Sequence, residues 1–119
     1  MKEASRRSRK LSEQIRNDLS WIIENRLKDP KKGFITLTYV KLSSDMKLAS
    51  VYYTVLGEVE SRNITQDVLN RSISFLRHEL RDKLKVRYLP ELRFFYDDTF
   101  DYSQKISNLM SKIHDEDNQ

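Results

Sequence analysis

The chain contains no cysteine, which excludes a disulfide framework, a thiolate metal site and a cysteine nucleophile. The absence of disulfides is typical of proteins from reducing compartments, so we expect a cytoplasmic location. No apolar run approaches the roughly 20 residues of a membrane-spanning helix. No apolar segment follows the basic N-terminus as it would in a secretory signal. We therefore expect neither membrane association nor a secretory signal.

Glycine is also scarce, and this scarcity excludes further classes of site. Gly33 and Gly57 are the two glycines of the chain, too few for a Walker-type phosphate loop or a dinucleotide-binding fingerprint. His78 and His114 are isolated, and no local motif suggests a serine–histidine–acid triad. We therefore expect no metal site, no cofactor and no catalytic residue. The length of 119 residues fits one domain with a single modest core.

The net charge of +4 is distributed unevenly along the chain. Residues 1–10 carry a net charge of +4, residues 11–70 sum to zero, residues 71–93 carry +4 and residues 97–119 carry −4. Two basic regions favour a polyanionic partner such as nucleic acid. A solvated charged surface is the simpler explanation for any one of these charges, but it does not explain their clustering.

The spacing of apolar residues predicts an α+β fold. We expect a helix over 4–28, an antiparallel pair of strands at FITLTYVKL and LASVYYTVLG, and helical structure over about 64–86 that starts at Asn63 as N-cap. A third strand, LRFFYDD, and a short C-terminal amphipathic helix follow. Ile35, Leu37 and Tyr39 should share one face of the first strand. The domain would span 1–114, with 1–10 a basic and flexible arm and 115–119 a disordered acidic tail.

Two serines interrupt the long helical segment at Ser72 and Ser74. Serine is unfavourable inside a helix because its hydroxyl competes for backbone hydrogen bonds. The apolar stripe continues through this point, which favours a single helix. A straight helix of 23 residues would however be about 35 Å long, whereas strands of seven or eight residues span roughly 25 Å. The length therefore favours a joint near Ser72–Ser74.

Four motifs make the chain similar to a known family. They are LKDP at Leu27–Pro30, ITLTYVKLSSDMKLASVYYTVLG at residues 35–57, FLRHEL at Phe75–Leu80 and VRYLPELRFFYDD at Val86–Asp98. In order and spacing they resemble ribosome-binding factor A, a family of bacterial and organellar assembly factors of the small ribosomal subunit. The resemblance implies a type II KH-like fold in the order α-β-β-α-α-β, followed by a short helix, with a three-stranded mixed sheet and helices on one face.

The resemblance also implies a site and a function. The family has a short Ala-x-Gly kink between its two central helices, where this chain has Ser72, Ile73 and Ser74. Its members bind the assembling 30S subunit and its 16S ribosomal RNA, support maturation of the 5′ region of that RNA and are linked to growth in the cold. We expect a monomer with these partners and without catalysis.

The residues expected to bind RNA are basic or border the joint. A helix that begins near Ser74 would present free amide groups and the positive end of its dipole to a phosphate. Basic residues then follow at steps of three and four along one side. The N-terminal basic residues would become ordered on RNA. The predicted RNA-binding set is Arg6, Arg7, Arg9, Lys10, Arg71, Ser72, Ser74, Arg77, Arg81, Lys85 and Arg87, and Lys31, Lys32 and Lys41 could add phosphate contacts.

Two alternatives stay open at this point. Asp97, Asp98 and Asp101 could hold Mg²⁺ in a metal-dependent RNA-processing enzyme, although acidic residues after a strand more often mark the start of a helix. The chain could also be a protein-interaction module that uses the C-terminal helix or Trp21. We expect Trp21 to be covered by another segment, since large apolar side chains are seldom left bare.

Overall fold

The computed structural model describes residues 5–117, with the helices and strands in the predicted order. The helices are α1 (Arg6–Asn25), α2 (Val59–Arg71), α3 (Ile73–Leu84) and α4 (Thr99–Asp117), and the strands are β1 (Ile35–Leu42), β2 (Leu48–Val55) and β3 (Glu91–Tyr96). Strand β2 is central, antiparallel to β1 and parallel to β3. The predicted α+β fold, with its KH-like order and mixed three-stranded sheet, is confirmed.

Helix α1 forms because its apolar residues share one face and because its first turn is capped. The Ser5 hydroxyl accepts a hydrogen bond from the Ser8 amide at 3.0 Å, which satisfies one of the free donors at the helix start. Ile15, Leu19 and Ile22 are fully buried. At the other end the Lys32 ammonium donates to the Ile23 carbonyl at 2.7 Å, a favourable position for a cation at a helix C-terminus.

The core lies between α1, α2 and α3 and one face of the sheet. The buried strand residues alternate along β2, with Ala49, Val51 and Tyr53 facing the helices. Burial of its ring raises the pKa of Tyr53 to about 12, and its hydroxyl donates to the Gln66 side chain in α2. The other face of the sheet is not covered by these three helices.

Tyr39 does not share a face with Ile35 and Leu37, contrary to the prediction. The register of β1 against β2 shifts between Leu37 and Tyr39, so that Leu37 pairs with Tyr53 whereas Tyr39 pairs with Tyr52. The extra residue is Thr38, and this β-bulge reverses the alternation of the side chains that follow it. Tyr39 therefore lies on the outer face of the sheet, with 55% of its surface exposed.

Helix α2 begins earlier than predicted. Gly57 adopts φ 127°, a backbone conformation that favours glycine, and it directs the chain into a helix that starts at Val59 after the extended Glu58. Asn63 is therefore inside α2 and is not its N-cap. Gln66 does not form a capping box, because its side chain accepts from Tyr53 and donates to the Phe94 carbonyl.

Both predicted ends of the domain differ in the structure. Arg6, Arg7, Arg9 and Lys10 form the first turns of α1 and are not a separate arm, because Ser5 starts the helix before them. Residues 1–4 of that predicted arm lie outside the described residues. Helix α4 is 19 residues long and includes 115–117 of the predicted tail, whereas 118–119 lie outside the described residues. Among the described residues, no helix combines the length and hydrophobicity needed to cross a membrane.

Candidate RNA interface

The joint between α2 and α3 is a single residue, Ser72. Its backbone has φ −98° and ψ 2°, away from the helical ψ near −42°. This region is open to any residue, so the bend needs no glycine. The Ser72 hydroxyl donates to the Val68 carbonyl at 2.7 Å, and the Ser72 amide bonds to both Val68 and Leu69. These bonds close the end of α2, and the predicted joint is confirmed with α3 starting at Ile73 and not at Ser74.

The first turn of α3 has amide groups without a cap. Ser72 directs its hydroxyl back to Val68 and makes no side-chain bond to α3. The first α3 amide with a partner outside the helix is that of Leu76, which bonds to the Ser72 carbonyl at 2.9 Å. Within residues 5–117 the amides of Ile73, Ser74 and Phe75 have no such acceptor. They lie at the positive end of the α3 dipole, which suits an anion.

Arg71 lies beside these amides, at the last position of α2. Its guanidinium is 3.5 Å from the Asp29 carboxylate and its Nε donates to the Asp67 carbonyl at 3.3 Å. The Arg71 side chain is 63% exposed, so a second partner can approach it. An ion pair this exposed contributes little to stability. It does hold the arginine next to the loop that follows α1.

That loop and α3 enclose a shallow depression that the sequence did not reveal. Its lining consists of Arg26, Leu27, Lys28, Asp29, Pro30 and Phe75, and its volume is about 400 Å³. Phe75 is 40% exposed and stands in the first turn of α3. The LKDP motif was the available signal, because it marks this loop, but nothing in the sequence shows that the loop meets the joint.

The basic row of α3 divides into two kinds of residue. Arg77 is partly buried, and its guanidinium donates to the carbonyls of Leu89 and Pro90 at 3.1 and 3.2 Å. It therefore fixes the segment before β3, which restricts its use as a phosphate ligand. Arg81 is exposed, and within residues 5–117 it makes no salt bridge or side-chain hydrogen bond. Glu79, which could have neutralised the row, pairs with Arg26 at 2.9 Å.

Lys85 and Arg87 follow the end of α3. Lys85 has the left-handed φ of 54° and closes the helix through a bond from its amide to the Arg81 carbonyl. Its side chain is exposed, as is that of Arg87, whose guanidinium lies 5.4 Å from the Tyr88 ring centre. Both residues thus extend the exposed charge of Arg81 past the end of the helix.

The N-terminal basic residues lie far from the joint. The Lys83 ammonium lies over Trp21, 4.0 Å from the centre of the indole ring, and Arg26 contacts Glu79. These two contacts show that α1 and α3 run antiparallel. Residues 6–10 therefore extend past the C-terminal end of α3, about 25 Å along α1 from the joint end. Trp21 is 48% exposed, so Lys83 covers it only in part.

The acidic residues after β3 are engaged separately. The Asp97 carboxylate accepts from the Thr38 hydroxyl at 2.6 Å and from the Thr99 amide at 3.0 Å. Asp101 pairs with Arg62 at 2.8 Å. The bond from the Thr99 amide is a helix-capping interaction at the start of α4, and it occupies an oxygen that a magnesium site would use.

His78 is not isolated as predicted, because one ligand atom each from His78, Glu79 and Asp82 lie within 4.8 Å of one another.

The sequence and structural comparisons identify one family. The family model described as ribosome-binding factor A matches residues 7–110. A ribosome-binding factor A from Macrococcus caseolyticus is 38% identical over 110 residues, which cover 92% of this chain and 96% of the relative. Another from Geobacter metallireducens is 40% identical over 111 residues, with 93% and 94% covered.

Comparison with known structures agrees with the sequence comparison. A solution structure of a ribosome-binding factor A homologue from Thermotoga maritima has a TM-score of 0.69 and 34% identity, with 80% of this chain and 90% of that chain covered. A homology model of the Thermus thermophilus ribosome-binding factor A, fitted into a cryo-electron-microscopy map of a 30S complex, has a TM-score of 0.63 and 30% identity, with 74% and 92% covered. The chain therefore belongs to the ribosome-binding factor A family.

Proposed function

We propose that this protein binds the assembling 30S subunit by contacting its 16S ribosomal RNA, and that it does so as a monomer without catalysis. The observation that carries the proposal is the joint at Ser72, where a single non-helical residue leaves the first amides of α3 without acceptors beside Arg71. Amides at a helix start bind a phosphate well because the dipole adds to the hydrogen bonds. The Thermus thermophilus relative in its 30S complex supports this choice of partner.

The two kinds of basic residue would have different roles in binding. Exposed cations such as Arg81, Lys85 and Arg87 would provide the electrostatic attraction to the phosphate backbone. The amides of the joint would then fix the register of one phosphate. Irregular or single-stranded RNA suits such a site, because its backbone can follow a bent surface. By holding rRNA in an immature arrangement, the protein would support maturation of the 5′ region in the cytoplasm.

The direct test is crosslinking of the purified protein to purified small subunits, with both sets of sites mapped. We expect crosslinks between 16S rRNA and residues 71–75 and 81–87. The matched control is the large subunit, which offers the same phosphates in another arrangement. Crosslinks spread evenly over the protein, or equal binding to both subunits, would contradict the proposal.

The enzyme alternative has a separate test. Small-subunit RNA incubated with the protein and Mg²⁺ would be cut by a metal-dependent nuclease, and Asp97→Asn would abolish the cleavage. We expect intact RNA, because Asp97 and Asp101 each already have partners in the protein. Specific cleavage that Asp97→Asn removes would replace our proposal.

One observation favours protein contacts as a second role. Helix α4 carries exposed apolar side chains at Tyr102, Ile106, Leu109, Met110 and Ile113. Such a patch is typical of a surface that meets another protein. If α4 provided the main attachment, co-sedimentation with small subunits would survive high salt and would be lost in Leu109→Glu. Because we assign the main attachment to exposed cations, we expect co-sedimentation to depend strongly on salt.

A further inference from the structure

A row of aromatic rings crosses the outer face of the sheet, opposite the helices. Tyr39 of β1, Tyr52 of β2 and Phe95 of β3 are direct partners in the register of the sheet. The ring centres of Tyr39 and Tyr52 are 6.1 Å apart, and those of Tyr52 and Phe95 are 5.6 Å apart. We call these three residues the aromatic row. One ring from each strand thus forms a continuous apolar strip on the surface.

The aromatic row depends on a specific departure from regular strand structure. Without the β-bulge at Thr38, Tyr39 would point into the core beside Leu37. Thr38 is held in place by its bond to Asp97 at the end of β3, which connects the two outer strands of the sheet. Bulges are frequent next to binding sites, because they redirect a side chain. Here the bulge at Thr38 and its bond to Asp97 place Tyr39 beside the ring pair of Tyr52 and Phe95.

The rings are accessible from solvent. Tyr39 is 55% exposed and Phe95 is 42% exposed, and Tyr52 between them is half-buried. Cross-strand aromatic pairs stabilise a sheet by themselves. That effect explains the pairing, but it does not require the faces of the rings to be left open on the surface.

On the sheet, cations flank the aromatic row on the side of Lys41 and Arg93. Two residues along each strand, about 6.5 Å away, the next row consists of Lys41, Ser50 and Arg93. Both basic side chains are exposed. Glu91 lies two residues before Arg93 on β3, farther from the rings. On the opposite side lies Asp97, and its hydrogen bonds from Thr38 and Thr99 keep the pKa of that carboxyl below its usual value. The face thus has a cationic side and an anionic side, with rings between them.

We infer that the aromatic row is a second RNA-binding surface, which stacks two or three bases of a single strand while Lys41 and Arg93 contact the phosphates. Sheet-borne aromatic side chains that stack bases, with flanking cations, are a recurrent solution for single-stranded RNA. The charge asymmetry places the phosphate backbone over the Lys41 and Arg93 side, away from Asp97. This surface is on the opposite face of the sheet from the joint, so it goes beyond the proposed function and would engage a second segment of RNA.

Photocrosslinking of the unaltered protein tests this inference without the risk of misfolding. The probe is a single-stranded ten-nucleotide uridine RNA that contains 5-iodouridine, a base that crosslinks to aromatic side chains stacked on it. Peptide mapping by mass spectrometry should find adducts on Tyr39, Tyr52 or Phe95. Tyr102 is the internal control, because it is 66% exposed but belongs to no such row. Adducts on the control alone would overturn the inference.

Affinity for the same RNA gives an independent readout. Tyr39→Ala and Phe95→Ala should each weaken binding roughly fivefold or more, whereas Tyr39→Phe and the control Tyr102→Ala should leave it unchanged. Lys41→Gln combined with Arg93→Gln should lower the slope of log affinity against log salt by about 1.4. Equal affinities for all variants would overturn the inference. It would also be overturned if the variants bound small subunits more weakly but bound the free RNA as before, because that result indicates a protein partner. Arg81→Gln with Lys85→Gln tests the exposed cations of the proposed function separately, and its outcome does not affect this one.

Discussion

The two ends of the α1–α3 pair both carry clusters of basic side chains, but only one end gives them partners. At the joint end Arg26 pairs with Glu79, Arg71 pairs with Asp29 and Lys32 binds the Ile23 carbonyl. At the opposite end Arg6, Arg7, Arg9 and Lys10 are exposed, and the described residues provide no salt bridge for them.

This difference separates two uses of the same residue types. A cation with a partner in the protein determines where neighbouring groups lie, and that partner offsets part of its charge. An unpartnered cation does not shape the fold, but it attracts phosphates over a Debye length of about 8 Å in physiological salt. Net charge alone does not distinguish them, because residues 1–10 and residues 71–93 each carry +4 although Arg71 and Arg77 of the second stretch have partners in the protein.

The largest contrast is expected between two arginines of α3. Arg77→Ala should lower the free energy of unfolding by about 2–3 kcal/mol, because the carbonyls of Leu89 and Pro90 lose a charged donor. Arg81→Ala should change it by less than about 0.5 kcal/mol. Urea unfolding of both variants measures these values. Similar losses for the two variants would remove the distinction between partnered and unpartnered cations.

The N-terminal end should show the reverse behaviour. Replacing Arg6, Arg7, Arg9 and Lys10 by glutamine should leave the unfolding free energy nearly unchanged, since none has a salt-bridge partner within residues 5–117. Affinity for small subunits should fall roughly tenfold in physiological salt, because up to four phosphate contacts disappear. Equilibrium binding and urea unfolding of one protein preparation provide both numbers. A loss of stability without a loss of affinity would contradict this assignment.

The joint residue itself should have an intermediate effect on stability. Ser72→Ala removes the hydroxyl bond to the Val68 carbonyl and should cost about 0.5–1 kcal/mol. Ser74→Ala is the matched control, because Ser74 is exposed and already inside α3. In thermal unfolding, Ser74→Ala should have the same midpoint temperature as the unaltered protein. Equal effects at both positions would mean that Ser72 has no special role at the joint.

The smallest effect concerns an acid with partners, Asp97. Hydrogen bonds from Thr38 and Thr99 lower its pKa, so its contribution to stability is present above the unfolded value near 3.9 and is lost as the pH falls through the lower folded value. The carboxylate lies near solvent, so the contribution is only a few tenths of a kcal/mol. Asp97→Asn should therefore differ from the unaltered protein at pH 7 and match it at pH 2. A difference that persists at pH 2 would assign the effect to packing.

Much of the fold could be predicted from the sequence because local chemistry determines it. The apolar stripe of α1 and the strand hairpin of β1 and β2 follow directly from side-chain periodicity. The joint at Ser72 was also predictable, since a straight helix would have been longer than the sheet. Its bend needs no glycine because ψ near 0° is open to serine.

The remaining features depend on contacts between segments distant in the sequence. Nothing near Arg77 indicates that its guanidinium reaches the carbonyls before β3. The bulge at Thr38 is invisible in the alternation of FITLTYVKL, and it reverses the face on which Tyr39 lies. The separation of the N-terminal cations from the joint follows from the antiparallel packing of α1 on α3. The residue types of the candidate site were therefore predictable, but their division into structural and available cations was not.

The central claim is that unpartnered cations beside α3 bind the RNA of the small subunit. The most direct measurement is the slope of log affinity against log salt for Arg81→Gln with Lys85→Gln, compared with Lys105→Gln with Lys112→Gln. Both double variants remove two positive charges, but the second pair lies on the exposed surface of α4. We expect the first slope to decrease in magnitude by about 1.4–1.8 and the second to stay unchanged. Equal slopes for the two variants would contradict the account.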